Sequence, residues 1–137
     1  GWDAAAKTAV LVNVVMGGRT TPAAVERTGI GGLTGERVRD AVRRGKRVKL
    51  VASATRRGET ITATVAPVEL DATDPLAQLD GQSNAIVLAT DLLGEIMITQ
   101  RDGGLTQTAY GLLADVVMIR RALSPDRPAS GTSPGRR

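Results

Sequence analysis

The chain has 137 residues, 42% of them hydrophobic, and a formal net charge of +4. That length suits one domain with a real core, since a chain of this size removes roughly two-thirds of its unfolded surface from water. Cys and His are absent and Phe is missing, with one Trp and one Tyr. Thiolate chemistry, a zinc knuckle and any disulfide framework are thereby excluded, no metal site is expected, and proton transfer falls to Asp, Glu, Lys or Tyr110.

Residues 4 to 16, AAAKTAVLVNVVM, are apolar on nearly every side, the pattern of a buried helix, and GGRTTP (17 to 22) ends it. Lys7 ahead of this run faintly mimics a signal peptide. Asn13 inside the run and the lack of an A-x-A-like site argue against one, and the run is too short to span a bilayer, so a cytoplasmic chain with no membrane partner is expected. The first residue is not Met, which suggests a piece of a longer polypeptide.

GERVRDAVRRG (35 to 45) reads as an amphipathic helix with Val38, Ala41 and Val42 inward and Gly45 as its stop. In residues 46 to 70, Val48, Leu50, Ala52 and Ala54, then Ile61, Ala63 and Val65, alternate with other residues on either side of RRGE. This predicts a hairpin whose second strand Pro67 stops. TDPLAQL (73 to 79) predicts a short helix with Asp74 as N-cap and Pro75 first. SNAIVLAT (83 to 90) and GEIMITQ (94 to 100) form a second strand pair around DLLG, and residues 105 to 123 a helix with two arginines in its last turn. Residues 124 to 137, all Pro, Gly, Ser, Arg and the like, predict a disordered tail. The arrangement predicts an α+β fold: a mostly antiparallel or mixed sheet of about four strands covered on one face by helices, within one domain of residues 1 to 123.

The basic residues cluster at 37 to 49, 54 to 58 and the C-terminus. Without interleaved aromatics or a binding motif they read as a solvated helix face running into an edge strand, and no nucleic-acid partner is expected.

Asp3 and Lys7 stand four apart, the acid first, the favourable orientation on a helix face. Their stripe continues as Val10 and Val14, which predicts charged groups at the edge of a core or cleft where water is limited. The macrodipole and desolvation disfavour a charged Lys7 there while the carboxylate opposes both, so the lysine is suited to trading a proton. The plainer alternative is that Asp3 caps the helix and Lys7 reaches past apolar surface to water. Spacing alone favours the plainer alternative.

GWDAAAK (1 to 7) resembles the end of the homoserine dehydrogenase signature, G-x-D-x-x-x-K. Five further blocks resemble that family in the same order: GIGGLTGE (29 to 36), KLVASA (49 to 54), VAPVEL (65 to 70), DPLAQLDGQSNAI (74 to 86) and GGLTQTAYGLLADV (103 to 116). Three fixed positions in seven are weak evidence; the ordered series is much stronger. The resemblance implies the substrate-binding, catalytic and dimerisation portion of an enzyme that interconverts aspartate 4-semialdehyde and homoserine with NAD or NADP, on the way to threonine and methionine. It implies Lys7 as general acid and base with Asp3 as its partner, and a homodimer formed through the sheet. Gly103, Gly104 and Gly111 take cofactor-side positions, and the last helix packs on a nucleotide-binding domain. From the sequence alone, a strand-to-helix turn explains Gly103 and Gly104 equally well. No strand followed by G-x-G-x-x-G occurs in the chain, so the dinucleotide domain is not expected within it. QRDGG (100 to 104) also departs from the family's G-P-G-A-G, placing Arg101 and Asp102 where small or neutral residues are usual. Two further readings stay open: a non-catalytic oligomerisation or ligand-sensing module, and a related dehydrogenase acting on another oxo or hydroxy acid.

Overall fold

A computed structural model describes residues 1 to 101 and 103 to 124. The predicted disordered tail, Ser124 apart, and Asp102 of the QRDGG segment lie outside the described residues. The fold is α+β, as expected, with its strands in two small sheets. The chain divides into two compact units, the first Gly1–Leu79 and the second beginning at Asp80.

In the first unit, helix α1 (Trp2–Val15) leads to β1 (Glu26–Arg27), α2 (Gly35–Arg43), β2 (Lys46–Arg57) and β3 (Thr60–Asp71). The sheet order is β1-β3-β2. The β2/β3 hairpin is antiparallel from Lys46↔Asp71 to Arg57↔Thr60, and its turn is closed by Gly58 at φ +59. β1 is a two-residue parallel strand beside Thr64 and Val65, extended by Thr28 N–H donating to the Val65 carbonyl at 2.8 Å. It is too short for any sequence periodicity to reveal.

β3 runs straight through Pro67, contrary to the expected stop. The Val65 carbonyl faces β1, and the residue two places on faces the same way. Pro67 therefore turns its missing N–H to the edge beyond the short β1, where no ladder bond is lost.

The core is small-residue packing: Ala5 and Ala9 of α1 against Val25 and Val65, with Ala4 and Ala63 partly buried around them. Val12 is buried one turn further along α1, and Thr8 between them is satisfied by its hydroxyl donating to the Ala4 carbonyl at 2.7 Å. Thus α1 is not buried all round. It buries the face of Ala5, Ala9 and Val12, while Val10, Leu11, Val14 and Val15 are exposed. In α2 the Thr34 hydroxyl caps the Arg37 N–H and Ala41 is fully buried; Val42, expected inward, is exposed. Gly45, at φ +72, ends the segment as expected. Residues 72 to 78 form turns in place of the predicted helix. Asp74 does cap, its carboxylate accepting from Leu76 N–H at 2.8 Å, but the Asp74 carbonyl accepts from both Ala77 and Gln78 and the turn does not propagate.

The basic cluster is largely answered within the fold. Arg44 pairs with Glu69 at 2.9 Å, Lys46 with Asp71 at 2.6 Å, and Arg43 with Asp40. The first two tie the C-terminal end of α2 and the start of β2 to the end of β3, and the third lies within α2.

In the second unit β4 (Asn84–Thr90) and β5 (Gly94–Gln100) pair antiparallel, and α3 runs Leu105–Leu123. The hairpin turn is held by Thr90, whose hydroxyl donates to the Gly94 carbonyl and accepts from Leu93 N–H. No helix among the described residues is long and apolar enough to cross a membrane.

Candidate active site

Asp3 and Lys7 occupy the first two turns of α1, and their spacing brings the Lys7 ammonium to 2.8 Å from an Asp3 carboxylate oxygen. The pair forms as the i, i+4 rule requires. Its surroundings differ from expectation: the Lys7 side chain is 73% exposed and that of Asp3 81%. The stripe they head, Val10 and Val14, is also exposed, because α1 packs on the sheet with its Ala5/Ala9/Val12 face. Limited access of water, expected from the apolar stripe, is therefore not met in this chain. An exposed i, i+4 pair contributes about 0.3 to 0.5 kcal/mol to stability.

One contact near this pair was not legible in the sequence. The Arg27 guanidinium lies over the Trp2 ring, 3.8 Å from its centroid, so the residue before Asp3 is stacked on β1. The backbone is close there too: a Cβ on Gly1 would come within 3.2 Å of Arg27 Cγ and 3.5 Å of a Val65 methyl. The signal available beforehand was a lone Trp in an otherwise aromatic-poor chain, without a hint of its partner.

In the second unit, Gly103 and Gly104 line an open depression at the start of α3, together with Gln82, Asn84, Gln100 and Gln107. Gly103 is there for close approach, since a Cβ would stand 3.2 Å from the Gln82 carbonyl oxygen. Gly104 is the extended N-cap of α3, and its Cβ would meet only the Gln107 amide. Gly111 is separate: seven residues further along the helix is about 10 Å at 1.5 Å per residue, and a Cβ there would meet nothing within 4 Å. The depression offers neutral amides, one of them donating from Asn84 Nδ2 to Gln100 Oε1 at 3.1 Å. Such a lining is suited to hydrogen-bonding a polar, amide-bearing ligand. The three glycines thus divide into two at the depression and one away from it.

A sequence model of the homoserine dehydrogenase family matches residues 1–117. The chain belongs to the homoserine dehydrogenase family. The NAD(+)-dependent homoserine dehydrogenase of Pseudomonas canavaninivorans is 32% identical over 123 residues, covering 89% of this chain and 35% of the relative. That of Sulfurisphaera tokodaii is 32% identical over 121 residues, covering 88% and 36%. Among solved structures, the homoserine dehydrogenase from Thiobacillus denitrificans superposes with a TM-score of 0.79 at 29% identity, covering 94% of this chain and 30% of that one. The chain spans about a third of the length of the homoserine dehydrogenases it matches.

Proposed function

We propose that this chain is the substrate-binding, catalytic and dimerisation part of an NAD(P)-dependent homoserine dehydrogenase acting on aspartate 4-semialdehyde and homoserine. The observation that carries the reading is the Asp3–Lys7 pair, held at 2.8 Å on the face of α1 that packs against nothing in the first unit. An ion pair that adds so little to stability, placed at the matching positions of the family signature, is better explained by substrate than by folding.

In the direction of reduction, the Lys7 ammonium donates a proton to the carbonyl oxygen as it gains negative charge; in oxidation the lysine amine takes the hydroxyl proton back. Asp3 accepts a hydrogen bond from the ammonium, fixing where the proton is offered. The nicotinamide, when bound, supplies or accepts the hydride. The depression at Gly103 and Gly104 fits one end of such a cofactor: small residues permit close approach and neutral amides offer hydrogen bonds. The rest of the dinucleotide needs protein beyond this chain, which carries no G-x-G-x-x-G segment. NAD against NADP is not distinguished by neutral amides. The homodimer belongs to the same proposal. The face of β2 and β3 that carries Val51, Ala66, Val68 and Leu70 is opposite in register to the one that packs on α1, and Val68 is exposed. A cytoplasmic location accompanies the proposal.

Replacing Lys7 by Ala in the full-length protein tests it. The rate of semialdehyde-dependent NAD(P)H oxidation should fall by about two to four orders of magnitude, the usual contribution of a positioned acid or base. Wild-type turnover by a normally folded Lys7→Ala protein would remove Lys7 from the chemistry.

A further inference from the structure

We infer that Arg27 is a positioning residue for the Asp3–Lys7 pair, acting through Trp2. This inference rests on the proposed proton-transfer role of Lys7 and adds the device that aims it.

No side chain caps the first turn of α1. Its N-cap is Gly1, which has no side chain to cap the free N–H groups. Beside the core contact of Ala5, a second contact reaches this turn from Arg27. Its backbone is fixed in β1 beside Val65, whose side chain is fully buried, and the following N–H donates to the Val65 carbonyl. From this base the guanidinium reaches the face of Trp2 at 3.8 Å. The aliphatic stem passes so close to Gly1 that a methyl group there would crowd it at 3.2 Å.

The sign of the charge makes the contact informative. A cation beside a helix N-terminus meets the positive end of the macrodipole, which disfavours it there. Among the described residues no carboxylate forms an ion pair with Arg27. The indole face is the partner that favours it, and such a contact contributes about 0.5 to 2 kcal/mol depending on its exposure. Trp2 is itself exposed, so the ring is not placed by burial. It is placed by the cation below it. Trp2 precedes Asp3 directly, and Lys7 is one turn on; tilting the first turn would move the carboxylate and the ammonium together. Displacement of a catalytic group by about 1 Å can cost about a hundredfold in rate.

The test uses the full-length protein, with steady-state kinetics taken well below the melting transition of each variant. Arg27→Met keeps a stem beside Gly1 and Val65 but removes the cation. It should lower kcat by about tenfold and change KM by less than about twofold, because proton delivery is affected and substrate binding is not. Arg27→Lys restores a cation over the ring and should return most of the rate. Trp2→Ala should reproduce the loss, and the Trp2→Ala/Arg27→Met double variant should lose no more than the worse single one, the signature of two residues acting as a unit. Wild-type kcat in Arg27→Met, no recovery in Arg27→Lys, or losses that multiply in the double variant would each overturn the inference. Lys7→Ala measured alongside separates the two claims. An inactive Lys7→Ala beside a fully active Arg27→Met defeats only the positioning role, whereas a fully active Lys7→Ala defeats both.

Discussion

Residues 1 to 79 and the residues from Asp80 onward differ in how they use apolar side chains. Ala5, Ala9, Val12, Val25, Ala41, Val65 and Ala77 are all buried, and all lie in the first unit. Among the described residues of the second, none is buried, and α3 exposes Leu105, Leu112, Leu113, Val116, Met118, Ile119 and Leu123. The first unit closes around a core of its own; the second carries the ingredients of one without enclosing it. The contrast is reflected in the candidate sites. Asp3 and Lys7 ride on a helix whose opposite face is fixed in a core, a rigid base for the proton transfer proposed above. Gly103 and Gly104 begin a helix with an apolar surface that large, a surface area normally covered by more protein.

The largest expected effect breaks activity and leaves the first unit intact. Lys7→Ala in the full-length protein should remove about two to four orders of magnitude from kcat while shifting stability by about 0.5 kcal/mol or less, the worth of an exposed ion pair. A chevron or melt showing a large destabilisation would mean that Lys7 is structural after all. The 137-residue chain alone should oxidise no NAD(P)H with aspartate semialdehyde, since it has nowhere to hold most of the dinucleotide. Measurable turnover by it would contradict the assignment of the cofactor to protein outside this chain.

A second pair of substitutions sharpens the comparison in the opposite sense, with stability as the readout. Gly18→Ala would put a Cβ 2.6 Å from the Val12 side chain, which is buried, so Val12 must shift or the loop must move. Overpacking of this kind costs about 1 to 3 kcal/mol. Leu112→Ala in α3, where the side chain is exposed, should cost this chain about 0.5 kcal/mol or less. Denaturant titration of the two variants decides it: equal losses would mean that α3 has a packing partner in the isolated chain. Sedimentation of the same protein at micromolar concentration addresses the sheet, and a dimer that Val68→Lys disperses is the expected result.

The contrast also explains which parts could be read in advance. Long patterned runs revealed the hairpin of β2 and β3 around RRGE, the second hairpin, and α1 and α3, because each signal extends far enough to outweigh local exceptions. The errors were short-range questions settled by tertiary context. Pro67 stays in β3 because β1 ends before reaching it, and β1, two residues long, has no period to detect. Asp74 and Pro75 form a helix start that closes in turns by Leu79 without becoming a helix. Val42 is exposed although helical spacing placed it inward, and Ala41 is the buried residue of α2. For the site, the Asp3–Lys7 spacing was legible and its hydration was not: an apolar helix has several faces, and only the fold selects the one that is buried. The Trp2–Arg27 contact joins residues 25 positions apart in different elements and leaves no local signature.

The smallest effect tests the glycine set apart from the other two. Gly111 lies inside α3, at a position where a Cβ would meet nothing within 4 Å. Glycine in a helix interior is less favourable than alanine by about 0.5 to 1 kcal/mol, so Gly111→Ala should stabilise α3 in this chain by that amount, read as increased helix signal or a higher melting temperature. Gly111 is crowded by nothing among the described residues, and the proposal assigns it to the cofactor side of the enzyme. In the full-length protein the same substitution should therefore raise KM for NAD(P)H while the helix becomes more stable. Stabilisation with unchanged cofactor KM would leave Gly103 and Gly104 as the cofactor glycines and remove Gly111 from that set.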